Sequence, residues 1–285
     1  MTGSRPLFVL LTALVASCSA TPAETTSTLP ATTTAPAAVT TPTVAPCADE
    51  FEFGEGGQIA DLDHDASDSG AIGAISWTEE QGCETFTIAF QTSEGAPATT
   101  PPSTELLHLG SFQVLRVRMN SLDATVVTDQ LVETTLVDRL FVVRSLEEGM
   151  FIDFHLAQPS QARIEAASSP AQLILTLKPG LVPFTGFSTI GERVVVTSPT
   201  AGATVDSVFT ISGYSRTLEA GVLFVASIGS EVVAERSTIA AAWMDTWGEY
   251  RANLELPEGT VSLFVGEANQ LDGTLEGVTV RMTVR

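Results

Sequence analysis

The end of the chain constrains the fold most. From residue 278 the side chains alternate without a fault: Val278, Val280, Met282 and Val284 are apolar, while Thr279, Arg281, Thr283 and Arg285 are polar. A period of two sends successive side chains to opposite faces, so this is a β-strand with one face buried and the other wet. The same rule governs 85–90 (TFTIAF), through Phe86, Ile88 and Phe90, and 151–156, through Ile152, Phe154 and Leu156; it recurs at 173–177. On that alternation His155 points outward, as an exposed structural histidine. Residues 112–119 and 136–143 are apolar enough for inner strands. Pro97, Pro101, Pro102 and Pro159 punctuate the series. Helical signals are few, and 129–140 is the one ambiguous stretch.

A second series begins after a short connector with Pro183 and two glycines. It runs through 194–196, 208–211, 222–228, 250–256, 261–265 and 278–284. About seven short strands in some ninety residues, separated by Gly and Pro turns, describe an immunoglobulin-like sandwich. The expected fold class is all-β: two β-sandwich domains with separate cores, at 47–180 and 193–285, joined by a connector at 181–192. No internal repeat relates the two.

The N-terminal part reads differently. Arg5 precedes an apolar run at 7–16 (LFVLLTALVA). That run is too short for a bilayer core, which needs ~20 residues, and suits the apolar region of a signal peptide, expected at 1–17. It ends in Val15-Ala16-Ser17-Cys18, which resembles the bacterial lipobox. That resemblance implies lipidation of Cys18 and anchoring at the outer face of the cytoplasmic membrane. Of three cysteines, assigning Cys18 to lipid leaves Cys47 and Cys83 to pair in a compartment that permits disulfides. Residues 18–46 are nearly all Thr, Ala, Pro and Ser, with Glu24 the only charge. Such a segment cannot bury a core and reads as a disordered, extended tether into the wall.

The formal net charge is −21, with 13 Lys and Arg. That balance disfavours nucleic acid and anionic headgroups as partners. No catalytic constellation stands out. His64, His108 and His155 are far apart, and no nucleophile elbow or phosphate-cradling loop is present. No cofactor is implied. Asp61, Asp63 and Asp65 alternate and make a calcium candidate, but Ala66 and Ile72 stand where an EF-hand loop needs Gly and Glu.

Two family resemblances extend this reading. Ser198-Pro199, Gly202, the run Ile211-Ser212-Gly213-Tyr214-Ser215-Arg216, Leu218-Glu219-Ala220, Trp247, Gly248, Tyr250 and Glu267 resemble the Gmad2 family of immunoglobulin-like sporulation and germination modules. Cys83 to Phe90, Gly95-Ala96-Pro97, 151–156 with Pro159, and 171–177 resemble the AMIN-like domain of bacterial lipoproteins. AMIN-type sandwiches are associated with envelope targeting, so the resemblance implies adhesion or localisation rather than turnover. The Gmad2 resemblance places Arg216, Glu219, Trp247 and Glu267 at family-typical positions, a candidate ligand patch in which Trp247 stacks on sugar faces. Two structural readings stand beside it: an Arg216–Glu219 pair that pins Tyr214 and its turn, and Trp247 as the core tryptophan of the sandwich.

The expected function is that of a non-enzymatic envelope lipoprotein binding peptidoglycan, another wall glycan or an envelope protein. An accessory or degenerate relative of a wall hydrolase, or a calcium-binding spacer, are the alternatives. No segment of the 285 residues is left unassigned that would house a catalytic domain.

Overall fold

In the computed structural model, which describes Cys47 and residues 52–64, 66–80, 82–269 and 273–285, all regular structure is β except one short 3-10 turn at Leu218–Ala220. The first sandwich holds β1 (Gln58–Leu62), β2 (Ala71–Glu80), β3 (Cys83–Gln91), β4 (Thr104–His108), β5 (Val114–Met119) and β6 (Ala124–Thr125). It continues with β7 (Asp129–Leu131), β8 (Val137–Arg144), β9 (Met150–Leu156), β10 (Ser160–Ala167) and β11 (Gln172–Pro179). The ambiguous stretch at 129–140 is thus β7, a turn over 132–136 and the start of β8, and the two strands pair antiparallel.

The second sandwich holds β12 (Thr189–Ile190), β13 (Val194–Ser198), β14 (Thr204–Val205), β15 (Val208–Ser215) and β16 (Gly221–Ile228). It ends with β17 (Glu231–Ile239), β18 (Trp247–Glu255), β19 (Gly259–Ala268) and β20 (Leu275–Val284). The C-terminal alternation holds: Val280, Met282 and Val284 are buried, and Thr279, Arg281 and Thr283 are exposed. β17 escapes the sequence reading because it is an edge strand with a largely exposed, charged pattern, and only a strand with one buried face shows clear alternation.

Each sandwich has its own core. Phe86, Ile88, Leu140, Ile152 and Phe154 lie in the first, and Val194, Ile211, Phe224, Tyr250 and Val280 in the second. The sheets are not separate, however. One sheet of the first domain runs β10-β11-β3-β2-β6 and one of the second runs β14-β20-β19-β16-β17. Between them a single sheet crosses both domains in the order β1-β4-β5-β9-β8-β18-β15-β13-β12. The junction is a short parallel pairing of β8 with β18, Trp247 opposite Val143 and Gly248 opposite Arg144. β7 occupies the rest of that edge of β8, opposite Arg139 to Phe141. Gly248 is needed at this junction: a Cβ there would lie 2.1 Å from the backbone nitrogen of Ala242.

A third apolar cluster lies where the domains meet, made of Phe141, Val143, Phe151, Val195, Tyr214 and Trp247. These are side chains on the faces of β8, β9, β13, β15 and β18 that point away from the two main cores. This corrects the expectation for His155. It does alternate away from Ile152 and Phe154, but that face is covered by the second domain, and His155 is 0% exposed. All seven residues of β9 are buried because the strand has a core on one side and the seam on the other. The connector is likewise held down: the backbone N–H groups of Leu181 and Val182 donate to Glu55, and that of Ser188 donates to Gln113.

Candidate functional site

Cys47 and Cys83 form a disulfide with their Cα atoms 5.9 Å apart, which ties the start of the described chain to the start of β3. Cys18 and Asp65 lie outside the described residues. Asp61 sits on β1 and is exposed, while Asp63 accepts a hydrogen bond from Ser103. Among the described residues no three acidic, His or Cys side chains are grouped to hold a metal ion. The acid in this region with a clear task is Asp68, whose carboxylate accepts the backbone N–H groups of Thr99 and Thr100. Those hydrogen bonds lower its pKa.

The four residues of the candidate ligand patch fall into two places. Arg216 follows β15 and sits 4.9 Å from the Trp247 ring, with Nη1 donating to Asp129 at 3.1 Å. Trp247, at the start of β18, is only 1% exposed and donates from Nε1 to the same Asp129 oxygen at 3.0 Å. Its ring lies edge-on to Phe141 at 5.0 Å and to Tyr214 at 5.8 Å. It is therefore neither a sugar platform nor a residue of the sandwich core: it closes the seam. The expected Arg216–Glu219 pair does not form, because Glu219 is exposed in the 3-10 turn with φ of 55° and Asp129 of the other domain takes its place.

Glu219 and Glu267 belong to a groove on the second domain of about 730 Å³, which Arg193, Leu218, Glu235 and Glu276 also line. Glu267 accepts the Leu218 N–H at 2.8 Å and pairs with Arg193 at 2.8 Å, so it fixes the turn that carries Glu219. The groove holds four glutamates against one arginine, and it is strongly acidic.

The seam also contains a buried charge network with no counterpart in the sequence reading. Arg116 on β5 clamps Asp153 on β9 with Nε at 2.7 Å and Nη2 at 2.8 Å, and its guanidinium lies 3.6 Å over the Phe151 ring. Burial works against the charge on Arg116, but Asp153 and then Glu249 outweigh it and raise its pKa. Glu249 on β18 accepts from Ser145 Oγ and from the Leu146 N–H, crossing between domains. His155 Nε2 meets the Tyr214 hydroxyl in a short contact across the same seam. Burial, and then the nearby Arg139, hold this imidazole neutral, with its pKa pushed down to about 3. A signal did exist for these partners. Phe141, Val143 and Phe151 are apolar at positions that alternation assigns to the solvent face, which means that face is covered.

The fold and its polar side chains define an all-β protein of two sandwiches fused through one sheet, the second of them immunoglobulin-like. Residues 193–274 match the family model of Gmad2, the immunoglobulin-like domain of bacterial spore germination. No curated protein and no solved structure shows significant similarity to the chain.

Proposed function

We propose that this chain is a lipid-anchored bacterial envelope protein, AMIN-like in its first sandwich, that binds wall polymer or an envelope partner without turning it over. The observation that carries the reading is the fusion of the two sandwiches. A shared sheet, an aromatic seam and polar links from Glu249 to Ser145 and Leu146 and from Arg216 to Asp129 join them into one frame, and loops and grooves on such a frame are where binding residues concentrate. The histidines support binding over catalysis: His155 is sealed against Tyr214, and burial lowers the pKa of His108, whose Nε2 lies 3.1 Å from the Ser160 carbonyl. The lipobox-like Cys18 and the Thr/Pro-rich stretch behind it support a place at the outer face of the cytoplasmic membrane, with the domains held into the wall.

The test is co-sedimentation of the full chain with purified sacculi, with soluble muropeptides measured over a long incubation. Salt-sensitive sedimentation without muropeptide release is expected, and measurable release overturns the non-enzymatic part. Cys18→Ala should move the protein from the membrane fraction to the medium or leave the precursor uncleaved. Equal fatty-acid labelling of both forms would remove the anchor from the proposal.

A further inference from the structure

A second groove, of about 480 Å³, opens across the seam itself. That is the size of a small-molecule site. One wall comes from Gly110, Ser111 and Val114 of the first domain, with Thr185 of the connector, and the other from Thr197 to Thr200, Ser212 and Gly213 of the second. The groove therefore exists only because the two sandwiches are fused. Its charged lining is Arg116, Glu249 and Arg251.

The hydrogen-bond accounting of those three groups points to a ligand chemistry. Arg116 uses Nε and Nη2 on Asp153, which leaves Nη1 at 3.8 Å from Glu249 Oε1. Arg251 Nη2 lies 3.7 Å from the same oxygen. Both separations are too long for a hydrogen bond. Glu249 Oε2 already takes Ser145 and Leu146, so Oε1, on a side chain that is mostly buried, has two guanidinium groups near it and a hydrogen bond from neither. The hydroxyls of Ser111, Thr200 and Ser212 make no hydrogen bond among the described residues, and no aromatic side chain lines the groove.

A group that bridges Nη1 or Nη2 to Oε1 must accept from an arginine and donate to a carboxylate at once. A hydroxyl does both. A carboxylate or phosphate would meet Glu249 with like charge, and an ammonium would meet Arg116 and Arg251. We infer that the seam groove binds an uncharged, polyhydroxylated ligand, a short saccharide segment, with sugar hydroxyls seated between Glu249 and the two arginines. The inference rests on the envelope-binding reading for where such a ligand is met.

The experiment is titration calorimetry on the full chain with chitotetraose as the neutral probe, beside tetra-glucosamine and an oligogalacturonate as its ammonium and carboxylate counterparts. Saturable binding of chitotetraose is expected, with both charged probes at least tenfold weaker. Arg251→Ala, which removes a half-exposed side chain, should weaken binding roughly tenfold, as loss of a charge-assisted hydrogen bond does. Ser212→Ala should weaken it less, and Glu231→Gln, on the far edge strand, should leave it unchanged. Unfolding curves on each variant separate lost binding from lost fold. Absence of saturable binding, equal binding by Arg251→Ala, or preference for a charged probe would each overturn the inference. Sacculus sedimentation distinguishes the two proposals: sedimentation that Arg251→Ala leaves intact, without chitotetraose binding, removes the groove and keeps the envelope reading.

Discussion

Acidification should loosen this protein through His155, and the size of the effect follows from the seam. The imidazole is buried against Phe141 and Tyr214, with Arg139, Asp138 and Arg116 as the charges around it. Its pKa falls from 6.5 to about 3 in the folded state. Because the folded pKa is depressed, the unfolded chain takes up the proton first. The contribution to stability is complete above pH 6.5 and is lost as pH falls toward 3, at about 1.4 kcal/mol per pH unit. Between pH 7.5 and pH 5 that amounts to roughly 2 kcal/mol.

Other groups titrate in or near the same window. Burial raises the Glu84 carboxyl and works in the opposite direction. A difference measurement removes them. Urea unfolding of the full chain and of His155→Gln, at pH 7.5 and at pH 5, should show wild type losing about 2 kcal/mol more than the variant. Glutamine keeps a hydrogen-bonding group for the Tyr214 hydroxyl and carries no titrating proton. Equal losses in the two proteins would refute the reasoning and mean that the histidine is not sealed when the protein is folded.

Three further outcomes are expected. Trp247→Ala should cost about 3–5 kcal/mol by opening the aromatic seam, and calorimetry should then resolve two transitions where the intact protein shows one. Arg116→Met leaves Asp153 buried without its partner and should cost about 3–5 kcal/mol; Arg116→Met with Asp153→Leu should recover most of it in the same urea assay. Replacing Cys47 and Cys83 with serine frees a loop of 36-residue separation, which should cost about 4 kcal/mol by chain entropy. Because the shared sheet couples the domains, that loss should lower the single melting transition rather than a first-domain transition alone.

How much of this was legible beforehand varied with the kind of information involved. The strands at 85–90, 151–156 and 278–284 could be read because alternation is local and each has one face on a core. The Cys47–Cys83 pairing followed from counting, and the immunoglobulin-like character of the second domain from strand spacing and a handful of residues. The candidate patch could not be read in the same way. Arg216 and Trp247 are committed to Asp129, which is 118 residues from Trp247 in the chain. Nothing near Trp247 announces that partner.

What the sequence determined by itself, then, was the type and rough order of the strands and the inward face of each sandwich, since those depend on side chains a few positions apart. Tertiary structure alone decided that the two sandwiches share a sheet, that the outward faces of β8, β9, β15 and β18 close on each other, and that a groove floored by Arg116, Glu249 and Arg251 lies across the join. The reason is physical. A second domain that covers a face turns nominally exposed positions into buried ones, and whether Phe151, Asp153 and His155 meet water or Tyr214 depends on a contact between residues far apart in the chain, which no local period encodes.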